Sequence, residues 1–192
     1  MIRNFFVSNI IILFFFAGCG KKEYKITESK YTNYNIISLN IFEYNFISKD
    51  KKYKLSDELG FSSSFLLDRV TSWGNKKFKV KGENKKLLFT LEELALVKKK
   101  IKKNKGLKKL LFSDEETQYN LSIKISLKFY NESHILETLN LNGNINFIIK
   151  DNYSIIQKKK YLNASYLELI SKVDEAIDRE FKKKTFSKFK FI

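Results

Sequence analysis

One cysteine, one histidine and a dense block of lysines are the residues whose chemistry sets this chain apart. Cys19 is the only thiol, and it closes an apolar run from Phe5 to Phe16 that only Ser8 and Asn9 interrupt. Ala17 and Gly18 stand directly before it. A positive start at Arg3, an apolar stretch and small residues ahead of a cleavage point make a secretory signal. A spanning helix needs about 20 apolar residues, and this run is shorter. Cys19 then stands directly after a signal peptide, as an ordinary buried or free thiol on the bland reading. With no second cysteine, an oxidising compartment offers no disulfide, so stability has to come from a hydrophobic core.

The other reactive groups are sparse. His134 is the only histidine, which leaves no His/Cys zinc set and no base beside a nucleophile elbow. Asp114, Glu115 and Glu116 are consecutive, a pattern that fits a turn better than a separated acid/base pair. Asp174 with Asp178, and Glu175 with Arg179, recur at helical spacing and read as a solvated helix face. The glycines form no phosphate-cradling loop. An enzyme is not expected, nor a metal or cofactor.

The formal charge of +16 invites a nucleic-acid reading. Such binding needs a basic face interleaved with base-reading or stacking residues. Here lysine is spread through the chain beside abundant Asn, Ile, Phe and Tyr, a bias of AT-rich codons. Nucleic acid is therefore not an expected partner. The lysines concentrate once, with eight in the twelve residues from Lys98 to Lys109. This block is either a solvated hairpin loop or a contact for anionic lipid or lipopolysaccharide phosphate through Lys98, Lys99, Lys100, Lys102, Lys103 and Lys105.

Several elements must hold these groups in place. Residues 1–18 read as signal peptide, 19–35 as the N-terminus and a lysine-rich tether, and 36–192 as one domain. Ile36 to Ile47 changes apolar phase midway, which predicts a bulged strand or two-sided burial. Phe65, Leu66, Val70 and Trp73 mark a short amphipathic helix, opened by Ser62, Ser63 or Ser64 and ended at Gly74 and Asn75. Between Lys86 and Ile101 two periods compete. Thr90 and Glu93 have capping-box spacing, yet Leu87 to Leu91 is a β-prone run, and a strand from about Leu87 to Lys98 is preferred. Tyr119 to Tyr130 and Thr138 to Ile149 alternate strictly and read as an antiparallel hairpin through a turn at Asn131 to His134. A last helix runs from about Asn163 to Lys184, with Lys182, Lys183 and Lys184 at its C-terminal end. The tail carrying Phe186, Phe189 and Phe191 either packs on the domain or presents an aromatic strip.

The expected fold is α+β, a two-layer sandwich in the order β-α-β-β-β-α. About four mostly antiparallel strands carry two amphipathic helices on one face. The other face, rich in Asn, Ser and Lys, stays wet unless a partner covers it.

The junction Phe16-Ala17-Gly18-Cys19 resembles the lipobox of bacterial lipoproteins. That resemblance implies cleavage before Cys19, lipidation of its thiol and attachment to the cell envelope. With Lys21 in place of an inner-membrane retention aspartate, it implies an outer-membrane anchor with the domain facing the periplasm. The layout also resembles the lipopolysaccharide-assembly lipoprotein, the small subunit inside an outer-membrane β-barrel translocon. Ala17-Gly18-Cys19-Gly20, the Phe65–Trp73 helix, the Glu116–Tyr130 strand with its return strand, and the Tyr166–Lys184 helix carry the likeness. It implies a β-barrel partner and contact with lipopolysaccharide. The layout is similar, too, to the auxiliary lipoprotein of lipid-transporting ABC systems, which implies a transporter partner instead. It also looks like small alphaproteobacterial lipoproteins with an Arg/Trp-bearing first helix.

Overall fold

A computed structural model describes residues 10–12, 34–49, 63–102 and 115–191. Cys19, the tether up to residue 33, Lys103 and Lys105 lie outside the described residues. The elements are β1 (Ile10–Ile12), β2 (Ile37–Leu39), β3 (Glu43–Ser48), α1 (Ser63–Lys77), β4 (Phe78–Val80), β5 (Lys86–Lys102), β6 (Glu115–Asn131), β7 (His134–Lys150), α2 (Ile155–Glu180) and α3 (Lys184–Ser187). The fold is the expected α+β sandwich.

Three long strands form its spine. β5 pairs antiparallel with β6, and β6 with β7, so the main sheet runs β1-β7-β6-β5-β3. β3 joins in parallel on the β5 side, and Ile10–Ile12 lines the outer edge of β7 in parallel. Those three isoleucines belong to the apolar run read as signal peptide. A β-prone triplet pairs readily with the open N–H and C=O groups of a sheet edge. The β6–β7 hairpin turns over Glu132 and Ser133 alone, with Asn131 facing His134, and Glu132 takes a positive φ of 53°. The connection is thus tighter than the expected four-residue turn.

Alternation decides the two faces. Phe89, Leu91, Leu94 and Leu96 of β5 meet Leu121, Ile123, Ile125 and Leu127 of β6 on the inner face, and all are buried. A bulge between Leu91 and Glu93 shifts the phase, so Leu91 and Leu94 both point inward three residues apart. That spacing is what imitates a helix in the sequence, and the strand reading is the correct one.

Both helices pack on this inner face. α2 presents Leu162, Tyr166, Leu169, Ile170, Val173 and Ile177, all buried. A Cβ on Gly143 of β7 would lie 2.9 Å from Val173 and 3.0 Å from Leu169, so glycine lets the helix sit close. From α1, Leu66, Val70 and Trp73 are buried, with the Trp73 ring edge-on to Phe89 at 5.7 Å. The C-terminal tail completes the core. Phe189 stacks on Phe129 at 4.0 Å, and Phe181 and Phe186 pack around the same ring.

Several boundaries differ from the sequence reading. The strand expected over residues 36–47 is two strands, since the chain leaves the small parallel β2–β4 sheet to reach the main sheet. This switch explains the change of apolar phase. α1 does not end at Gly74 and Asn75 but continues to Lys77, because Gly74 serves a packing need: Phe46 would lie 2.5 Å from its Cβ. α2 begins at Ile155, not near Asn163. Ser154 caps it, accepting from the Gln157 backbone N–H while Gln157 accepts from the Ser154 N–H, and this capping box was overlooked in the sequence. It ends at Glu180, which puts Lys182 and Lys183 beyond the helix and Lys184 at the start of α3. Glu115 and Glu116 open β6 rather than forming a turn, and Glu116 is buried.

Candidate binding surface

The lysine block is not a loop where it is described. Lys98, Lys99, Lys100 and Lys102 extend β5, paired with Tyr119, Gln118, Thr117 and Glu115 of β6. Strand geometry divides them, sending Lys98 and Lys100 to one face and Lys99 to the other. They cannot act as one cluster.

Lys99 belongs to the outer sheet face, on which neither helix packs. There the register sets up rows across three strands: Thr90, Ser126 and Asn140; Ala95, Ser122 and Asn144; Val97, Asn120 and Asn146; Lys99, Gln118 and Ile148. Small and amide side chains keep this face flat. Lys124 is held by Glu93 at 2.5 Å, and Asn120 Nδ2 donates to Asn146 Oδ1 at 2.8 Å. Near the hairpin turn the face closes, with Thr90, Ser126 and Thr138 buried. At the opposite end it opens onto two apolar side chains, Val97 and Ile148, which are 54% and 39% exposed. Val97 lies two residues before Lys99 on β5 and Ile148 ends the same row beyond Gln118, so the result is a patch of apolar, amide and cationic groups.

The sequence reading placed Asn120, Asn144 and Asn146 on a wet face but missed Val97 and Ile148. The signal was available for Ile148, which lies in polar phase between the inward Phe147 and Ile149. Val97 was concealed by the competing helical pattern.

The α2 groups split: Glu175 and Arg179 are exposed as expected, whereas Asp174 is buried and Asp178 only partly exposed. Lys77, the last residue of α1, is 1% exposed and places its Nζ 2.7 Å from Asp174 and 2.8 Å from Asp178. Trp73 Nε1 donates to the same Asp174 oxygen at 2.9 Å, and Asn35 Nδ2 donates to Asp178 at 3.2 Å. Burial pushes the Asp174 carboxyl above its usual range, against the pull of Lys77 and Trp73. Burial likewise raises the neighbouring Tyr34 hydroxyl, with the Asp174 charge adding to the effect. This network clamps α1 to α2. His134 stands exposed at the hairpin turn, and no group of metal-ligating residues occurs among the described residues. No helix among the described residues is long and apolar enough to cross a membrane.

Beside the clamp lies a groove of about 250 Å³ lined by Asn35, Ile36, Ile37, Ser38, Asp178, Lys182, Lys190 and Phe191. It sits where the chain enters the domain from the tether.

No family model matches the chain, and no curated protein sequence matches it significantly. Among solved structures, the chain is similar to a neuraminyllactose-binding hemagglutinin homologue from Helicobacter pylori, at 12% identity and a TM-score of 0.38, over 81% of this chain and 92% of that one. It is similar also to the minor lipoprotein of Acinetobacter baumannii, at 12% identity and 0.35, over 72% and 88%. A third is rare lipoprotein B of Shewanella oneidensis, at 11% identity and 0.36, over 73% and 94%. The last two are bacterial lipoproteins, and at these identities no residue role passes from any of the three to this chain.

Proposed function

We propose that the chain is a non-catalytic lipoprotein of the bacterial envelope, anchored through lipid on Cys19. It serves as an accessory subunit in outer-membrane lipopolysaccharide or lipid transport, with a membrane-protein partner. The anchor rests on the run from Phe5 to Gly18 that delivers Cys19 to a cleavage point. A binding role, in place of catalysis, is supported by the use of the buried charges. Lys77, Asp174 and Asp178 hold two helices together, and the lone histidine stands apart from them in a turn.

One observation carries the ligand class: the open end of the outer sheet face puts Lys99 on one face with exposed Val97, two positions before it on β5, and exposed Ile148, across β6 in the same row. An amphiphile with an anionic head and an apolar body satisfies all three at once. Lysine near such a head group contributes about 1 kcal/mol. Each apolar side chain adds roughly 25 cal/mol per Å² that it removes from water.

The test is affinity purification of tagged full-length lipoprotein from its own envelope, with lipid analysis of the eluate and mass analysis of Cys19. Acylated Cys19 with co-eluting lipopolysaccharide is expected, and a variant combining Val97→Ser, Lys99→Glu and Ile148→Ser should retain several-fold less. Equal retention by this variant would remove the outer face from the reading. An unmodified thiol would remove the anchor.

A further inference from the structure

We infer that the groove at the base of the tether is a membrane-docking face, which seats anionic lipid head groups and lays the domain against the bilayer that holds Cys19. The inference rests on the lipidation of Cys19 proposed above.

Charge is the first argument. Lys182 and Lys190 line the groove and meet no carboxylate among the described residues, whereas the neighbouring Lys183 and Lys188 are tied to Glu180 and Glu137 at 2.7 Å. The one acidic group in the lining, Asp178, already accepts from Lys77 and Asn35. Beside it, Lys79 shares a face of the small sheet with Ser38, its register partner, and Lys81 stands 5.1 Å over the Phe191 ring. Two lysines in the groove and two beside it, on the small sheet and over the Phe191 ring, thus outnumber a single lining carboxylate that Lys77 and Asn35 already engage. A negatively charged leaflet attracts such a cluster within a Debye length.

Apolar placement is the second. Ile36 is 64% exposed and Phe191 is 45% exposed, and both line the same groove as the lysines. Basic side chains around exposed aromatic and aliphatic groups suit the boundary between head groups and acyl chains. Lysine stems can lie along the apolar surface while their charges reach phosphate.

The chain path is the third. Asn35 and Ile36 are among the first described residues after the tether that leads back to Cys19. A polar tether of this length spans at most about 50 Å even when fully extended. The groove is the part of the domain that the anchor holds nearest the bilayer along the chain. Anionic head groups are therefore the occupant met at the highest effective concentration.

The experiment uses mature lipoprotein purified from envelopes and reconstituted into vesicles of neutral lipid, with or without phosphatidylglycerol. With Cys19 acylated, Ser38→Cys supplies the sole free thiol for a fluorophore, and Lys160→Cys, exposed near the start of α2 and away from both the groove and the outer sheet face, is the control. Head-group nitroxide lipids should quench the Ser38 probe several-fold more than the Lys160 probe in anionic vesicles. High salt should abolish the difference, as should combined Lys79→Glu, Lys182→Glu and Lys190→Glu substitution, with Trp73 fluorescence reporting an intact core. Equal quenching of the two probes, or quenching at Ser38 untouched by the lysine changes, overturns the docking face while leaving the anchor intact. Intact mass before labelling separates the two readings, since a chain without acyl groups overturns both.

Discussion

Lys77 Nζ lies 2.7 Å from Asp174 Oδ1 with the lysine sealed from solvent, so the last residue of α1 is ion-paired to the middle of α2 inside the core. Asp178, only partly exposed, is the second partner at 2.8 Å. Breaking such a pair on one side leaves an uncompensated buried charge, which costs about 3–5 kcal/mol. Lys77→Met should therefore lower the unfolding free energy by about that amount in urea denaturation. Combining it with Asp174→Leu should restore most of the loss, because the remaining Asp178 reaches water. No recovery in the double variant would mean that the network specifies the helix docking instead of merely tolerating it.

The same pair predicts a pH signature. Burial raises the Asp174 carboxyl above its ordinary value. Between the ordinary aspartate pKa of about 3.9 and the raised folded value, the folded chain keeps a proton that the unfolded chain has released. Stability from this group then falls as pH rises through that window and levels off above it. The unfolding free energy of the native chain minus that of Asp174→Asn should fall accordingly when measured from acid upward. A rising difference would mean that Lys77 outweighs burial.

Gly74 is a helical glycine kept for its missing side chain. The Phe46 ring lies 2.5 Å from where a Cβ would sit, and the Tyr44 hydroxyl donates to the Gly74 carbonyl at 2.5 Å. Gly74→Ala would gain about 1 kcal/mol of helix propensity. Overpacking against a ring already edge-on to Phe89 at 5.1 Å costs about 1–3 kcal/mol. A net loss of about 1 kcal/mol is expected from chemical denaturation. In a Phe46→Leu background the sign should reverse, which distinguishes a clash from a backbone requirement.

How far the sequence reaches depends on what each element packs against. The β6–β7 hairpin was legible because one of its faces is buried and the other wet, so Tyr119 to Phe129 and Leu139 to Ile149 write a clean period of two. β5 was ambiguous for a definite reason: its bulge sets Leu91 and Leu94 three residues apart on one face. The start of α2 lay in Ser154 and Gln157, a signal that was present and passed over, since its first turns bear the exposed Ile155 and Ile156 with no apolar stripe. The clamp was beyond reach. Asp174 and Asp178 look like any solvated pair until Lys77, almost a hundred positions earlier, is seen to close on them. Candidate surfaces suffered in the same way, because Val97, Lys99 and Ile148 meet only through register, and Ile36 and Phe191 only through the folding back of the tail.

Tyr166 offers a test of a different kind. Its ring fills the core beneath the sheet, yet its hydroxyl is buried without a hydrogen-bond partner among the described residues. Burial raises the pKa of that hydroxyl, with Tyr34 adding to the effect and the Arg69 charge opposing it only in part, so it stays neutral. An unsatisfied buried hydroxyl costs about 1–3 kcal/mol in lost hydration, whereas removing it with the ring retained forfeits little packing. Tyr166→Phe should therefore leave the fold intact and raise the unfolding free energy by about 1 kcal/mol. Tyr166→Leu, which abandons ring volume at the same site, should lower it by about 1–3 kcal/mol through the cavity left behind. Equilibrium denaturation of the two variants separates the terms. If Phe proved as destabilising as Leu, the hydroxyl would have to hold a partner, and the core around α2 would be polar at a point where these residues make it dry.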